Sequence, residues 1–227
     1  MTLLSVSDAL TQRKSVREFS DQPVPQALLL EILELAGRSA SGGNLQPWKV
    51  TVLTGQPLSH LAETTQRYIE NSGGQSEPEF PTYPKELGAL YRERRAECGE
   101  LMYRALEIPR EDKINRIMQV LKNYQFFGAP VGIILTMDRT MGEPQCLDMG
   151  IYLQSLMLLA KERGLDSCPQ VSWTVWPQPV REALQLPDSE KIMAGLCLGY
   201  QASDSPVNHI EQARAKLEDY VSFRGFD

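Results

Sequence analysis

The chain has 227 residues, a formal net charge of −6 and 42% hydrophobic residues. That is enough apolar material for a sizeable core in one large domain or two small ones, and the acidic balance argues against general nucleic-acid binding. Cys98, Cys146, Cys168 and Cys197 form no CxxC pair and no metal-ligand spacing, so they read as free thiols in a reducing compartment.

Taken in chain order, Ser5 or Ser7 caps a first helix that runs to about Gln12. Arg13-Lys14-Ser15-Val16-Arg17 follows. On an extended backbone Arg13, Ser15 and Arg17 share one side; on a helix Arg13 and Arg17 are still i,i+4 neighbours. Either way two guanidinium forks converge, an arrangement suited to a doubly charged phosphate. The plainer alternative is a solvated segment paired with Glu18 and Asp21.

Pro25 opens a helix with apolar residues at Leu28, Leu29, Ile32, Leu33, Leu35 and Ala36, and Gly37 stops it. A loop of small residues, Ser39–Asn44, precedes a strand at Trp48–Leu53 and a helix at Leu58–Glu70. Prolines and glycines keep 71–84 irregular. Two charged helices are expected over Lys85–Ala105 and Arg110–Tyr124.

Val131–Met137 has the length and apolarity of a buried strand. Glu143–Arg163 is a helix with almost no wholly polar face, hence buried centrally or against a second subunit. Cys168–Trp173 reads as extended, Pro179–Leu186 as a helix and Lys191–Tyr200 as a buried strand. The polar tail after Pro206 reads as a helix through Tyr220. One domain, 1–227, emerges, with 71–124 as an insertion on one side. No apolar run approaches the ~18 residues of a spanning helix, and no basic leader precedes Asp8. The expectation is a cytoplasmic protein with no membrane partner.

The two histidines, His60 and His209, lie in no motif, which leaves little room for a histidine-based metal site or a Ser-His-Asp arrangement. No Walker loop and no GxGxxG loop is present. The remaining candidates for chemistry are 13–17, 39–48, 168–172 and Arg224.

These pieces, in this order, resemble the FMN-dependent nitroreductase family. The resemblance rests on Arg13-Lys14-Ser15-Val16-Arg17-Glu18-Phe19 followed by Ser41-Gly42-Gly43-Asn44-Leu45-Gln46-Pro47-Trp48, with a Pro-started helix between them. Arg163-Gly164-Leu165-Asp166, Cys168-Pro169-Gln170, Leu198-Gly199-Tyr200 and Phe223-Arg224-Gly225-Phe226 extend it over nearly the whole chain. It implies an α+β fold, with a central, mainly antiparallel sheet wrapped by helices, in an intertwined homodimer with FMN at the interface.

Carried over by position, Arg13, Lys14, Ser15 and Arg17 would hold FMN from one subunit, with Arg13 and Ser15 at the phosphate and ribityl end and Arg17 near the pyrimidine. Ser41, Gly42 and Asn44 would reach it from the other. Pro169, Gln170 and Val171 would offer backbone groups near the flavin, and Arg224 would return to the phosphate. Lys122 and Asn123 are two candidates for a further polar contact. Ala40 stands where many relatives have Pro, and Arg17 where some have Lys.

The activity implied is ping-pong reduction of a nitroaromatic or quinone by NADH or NADPH through the flavin, with no catalytic side chain and no metal. Residues 71–124 would line the entrance and choose the acceptor. Rival readings on the same fold are a reductive dehalogenase, a flavin-fragmenting enzyme and a non-catalytic flavin-binding dimer.

Overall fold

The computed structural model describes residues 4–226. Four strands, β1 (Lys49–Thr54), β2 (Val131–Asp138), β3 (Asp166–Gln170) and β4 (Glu190–Gly199), form one sheet in the order β1-β2-β4-β3. Every pairing is antiparallel, with Val52 opposite Ile133, Ile133 opposite Leu196 and Cys168 opposite Cys197. The α+β class and mainly antiparallel sheet are therefore as expected.

Helices cover both faces. Alternation along β2 sends Ile133, Leu135 and Met137 to one side and Ile134 to the other. The first side packs on α2 (Gln26–Ala36) and α6 (Glu143–Glu162) through Leu29, Ile32, Met149 and Leu156. The second packs on α3 (Gly55–Asn71) and α7 (Pro177–Leu184) through Leu61 and Val180, and on Trp173 of the turn before α7. Glycine is required where rings press on the sheet: a Cβ on Gly195 would stand 2.1 Å from Trp173 Cδ1, and one on Gly132 2.7 Å from Phe126 Cε1.

Ser5 caps α1 (Val6–Gln12) by accepting from Asp8 N–H at 3.1 Å, and Gly37 follows α2 directly. Several boundaries differ from expectation. α4 begins at Ala89, not Lys85, with Gly88 as its N-cap. α5 (Lys113–Leu121) is capped by Asp112 and passes into a 3₁₀ stretch over Lys122–Gly128. There Phe126 and Phe127 both take left-handed φ values, 49° and 53°, which buried rings hold in place.

β3 stops at Gln170, and Val171–Thr174 curls into a 3₁₀ turn because Trp173 Nε1 donates back to Gln170 Oε1 at 3.0 Å. The tail forms no helix through Tyr220; it has only short 3₁₀ turns at Pro206–His209 and Leu217–Asp219. An isolated helix that buries no face is marginal in water, and Leu217 and Tyr220 point outward. Among the described residues no helix is long and apolar enough to cross a membrane.

Candidate functional site

The basic segment is extended. Arg13 has φ −64° and ψ 127°, Ser15 pairs in parallel with Ser167 of β3, and Val16 N–H donates to Ser167 O at 3.0 Å. Val16 therefore turns into the core while Arg13, Ser15 and Arg17 stay partly exposed on the other side. With Lys14 they line a cavity of about 1020 Å³, whose other walls come from α4 (Arg94, Glu97) and from the tail (Asn208, Arg214).

The expected ion pairs with Glu18 and Asp21 do not form. Glu18 instead accepts from Ser205 Oγ at 2.9 Å. Among the described residues, no carboxylate pairs with Arg13, Lys14, Arg17 or Arg214. Burial, and then the nearby Arg214 charge, push the Arg13 guanidinium below its usual value. Arg13 and Arg214, neither paired with a carboxylate among the described residues, give positive charge to a cavity whose lining also carries Glu97 and Glu211, an arrangement suited to an anion.

Asn208 holds this segment in place. Its Oδ1 accepts from Arg17 N–H at 2.9 Å, its Nδ2 donates to Glu18 O at 2.7 Å, and its own carbonyl accepts from Lys14 Nζ. At 1% exposure it stitches the tail to the N-terminal strand. Neither Asn208 nor Arg214 carries a signal in the sequence; both sit in a polar stretch without a motif.

Cys168 lies beneath the patch. Burial raises its thiol to about 11, against weaker opposing effects of Arg17, a Ser15 hydrogen bond and Arg13. Such a thiol is inert packing, not a nucleophile. β3 continues past it along the sheet edge to Pro169 and Gln170.

The Gln170 side chain is fully engaged: Nε2 donates to Asn123 O at 2.7 Å, while Oε1 accepts from Trp173 and from Cys197. Only its backbone is left to face a ligand. Val171 is exposed at the following position. Of the two alternatives at 122–123, Asn123 is the one joined to Gln170, whereas Lys122 is exposed.

The loop of small residues has a different seat. Gly42 N–H donates to Asp148 Oδ1 at 3.0 Å, Ser39 Oγ to Ser155 Oγ at 2.9 Å, and Trp48 stacks on Tyr152 at 4.7 Å. All three partners are on α6. Ser41 accepts from Gln46 N–H at 3.0 Å, and Asn44, at φ 57°, is exposed. None of Ser41, Gly42, Asn44, Pro169, Gln170, Val171 and Arg224 lines the cavity of Arg13 and Arg17. Within one chain, the structure gathers Arg13, Lys14, Ser15 and Arg17 beside β3, and leaves the other two pieces apart. The cation of the tail that it sets near Arg13 is Arg214.

A family profile described as "Nitroreductase family" matches residues 10–200. The chain belongs to the nitroreductase family. This nitroreductase-family chain is 36% identical over 218 residues to the 4-nitrobenzoate reductase of Pseudomonas putida, covering 96% of itself and 95% of that protein. It is 34% identical over 222 residues to the nitrobenzene nitroreductase of Ectopseudomonas oleovorans, covering 96% of each. Its fold superposes on the crystal structure of the FMN and NADPH-dependent nitroreductase NfnB from sphigopyxis sp. strain HMH with a TM-score of 0.95 at 43% identity, over 98% of this chain and 100% of that one.

Proposed function

We propose that this chain is an FMN-dependent oxidoreductase that uses NADPH or NADH to reduce nitroaromatic or quinone-type acceptors in a ping-pong cycle, as a homodimer. The observation that carries the reading is the convergence of Arg13, Lys14 and Arg17 with Arg214 around one cavity, with no carboxylate paired to any of them among the described residues. A dianionic phosphate would offset the burial, and then the Arg214 repulsion, that lower Arg13, and would accept from both forks. The nitroreductases similar to this chain, one of them FMN and NADPH-dependent, support the same reading.

FMN, when bound, would supply the redox chemistry between a reduced nicotinamide and the acceptor. The chain's own residues bind and orient. Arg13, Ser15 and Arg214 hold the phosphate and ribityl end. Arg17, whose backbone N–H is held by Asn208, would offer positive charge beside the ring system. Backbone groups of Pro169, Gln170 and Val171 would be offered to the ring system. Ser41, Gly42, Asn44 and Arg224 come from the second copy, which accounts for their separation from the cavity in a single chain. Residues 71–124 shape the entrance, and the protein works in the cytoplasm.

The test is a reconstitution. Protein incubated with FMN and desalted should keep a flavin spectrum, lose its colour with NADPH under anaerobic conditions and regain it on adding 4-nitrobenzoate. A protein that stays colourless overturns the reading. One that binds FMN but is not reduced by either nicotinamide leaves only a flavin-binding role.

A further inference from the structure

The irregular stretch between α3 and α4 is anchored at one residue. The Glu79 side chain is only 3% exposed, and it lies between two arginines. Arg181 Nη2 of α7 donates to Glu79 Oε1 at 2.5 Å. Arg139 Nη2, from the turn after β2, reaches Oε2 at 2.9 Å and Oε1 at 3.1 Å. Ile192 N–H of β4 adds a long contact to Oε1 at 3.4 Å, and Glu79 N–H donates to Thr174 O at 2.9 Å. One loop carboxylate and its backbone are thus held by four separate parts of the body.

Beyond this anchor the chain has little hold of its own. α4 (Ala89–Ala105) contains no buried residue. It lies beside the Pro206–His209 turn, and its side-chain attachments include Arg95, 4.0 Å over the Tyr83 ring of the anchored loop, Tyr103 under Arg116 of α5 at 4.1 Å, and Glu100, which accepts from Arg116 at 2.8 and 3.1 Å. Yet α4 supplies Arg94 and Glu97 to the wall of the cavity that the basic segment floors. A wall without core contacts takes its position from its connections. Glu79 is the most enclosed of these, and a charge so enclosed has no comparable partner once the arginines are lost.

We propose that Glu79 is a positioning residue: clamped between Arg139 and Arg181, it fixes the 72–88 loop and, through Tyr83 and Arg95, the α4 wall of the cavity, and so sets the fit of the nitroaromatic acceptor. The proposal rests on the nitroreductase reading for its effect on the acceptor, but the clamp is measurable without it.

The experiment compares FMN-reconstituted wild type, Glu79→Ala, Glu79→Gln and Arg139→Gln. Trypsin should cut after Lys85, exposed in the same loop, roughly tenfold faster in Glu79→Ala, since nicking reports the opened population. KM for 4-nitrobenzoate should rise roughly tenfold, while reoxidation by dioxygen, which needs no shaped wall, and the FMN to protein ratio stay at wild-type values. Glu79→Gln, which keeps one accepting oxygen but loses the charge and turns an N–H donor toward an arginine, should fall between. If Glu79→Ala does not fold, Arg139→Gln, which touches only the half-exposed side of the clamp, should show the same pattern at smaller size.

Unchanged nicking overturns the proposal. So does an equal fall in turnover with 4-nitrobenzoate and dioxygen, or a loss confined to FMN retention. If wild type itself holds no FMN, the functional reading fails while the nicking comparison still decides the clamp.

Discussion

Asn208 shows how much of the site depends on residues that look ordinary in a sequence. It meets Arg17 across 191 positions of chain, and its amide satisfies the backbone on both sides of the gap. The Arg-Lys-Ser-Val-Arg segment was legible because charge, spacing and a following motif coincide. Asn208 and Arg214 were not, since a lone amide and a lone cation in a polar tail carry no periodicity. Cys168 and Cys197, face to face on β3 and β4, give a prediction at this scale. Burial raises Cys168 from 9.0 to about 11 and raises Cys197 well above its usual value. The folded state therefore keeps protons that the unfolded chain releases. Their contribution is complete below pH 9 and is lost as pH climbs from 9.0 toward 11 and beyond, by on the order of 2–3 kcal/mol for Cys168. Tyr124 and Tyr152, both raised by burial to about 12, extend the loss further. Urea midpoints measured from pH 8 to 11 should fall, and the fall should flatten in a Cys168→Ala, Cys197→Ala variant.

Among the elements, the sheet and its long helices follow from apolar periodicity, and their limits from local chemistry such as Ser5 and Gly37. Misread limits occur where a tertiary contact overrides the local pattern. Gln170 bends the chain at Trp173 where β-rich residues suggest continuation. The tail lacks a buried face to support the helix its composition permits. The tryptophan that bends β3 also dictates Gly195. Gly195→Ala should destabilise by about 1–3 kcal/mol, because a rigid indole stands where the methyl would go. Gly99→Ala, in α4 with nothing within 4 Å of the new methyl, should instead stabilise by about 0.5–1 kcal/mol. Thermal melts of the two variants should move in opposite directions, by roughly 2–4 °C per kcal/mol.

Across the whole molecule, the open question is how the two halves of the proposed site meet. The loop at Ser41–Asn44 rests on α6, whose Leu147 is 73% exposed, and Phe226 of the tail is 81% exposed. Apolar side chains so placed suit a second copy of the chain. Sequence resemblance implies that arrangement; residue patterning alone could not, because each loop satisfies its contacts within its own chain. The decisive measurement is FMN bound by a mixed dimer of one Arg13→Ala chain and one Gly42→Glu chain, purified through two different tags. If each site takes its basic segment from one chain and its small-residue loop from the other, both homodimers lose FMN and the mixed dimer keeps one FMN per two chains, because one of its sites carries neither change. A mixed dimer without FMN, or a lone subunit that retains it, contradicts the account.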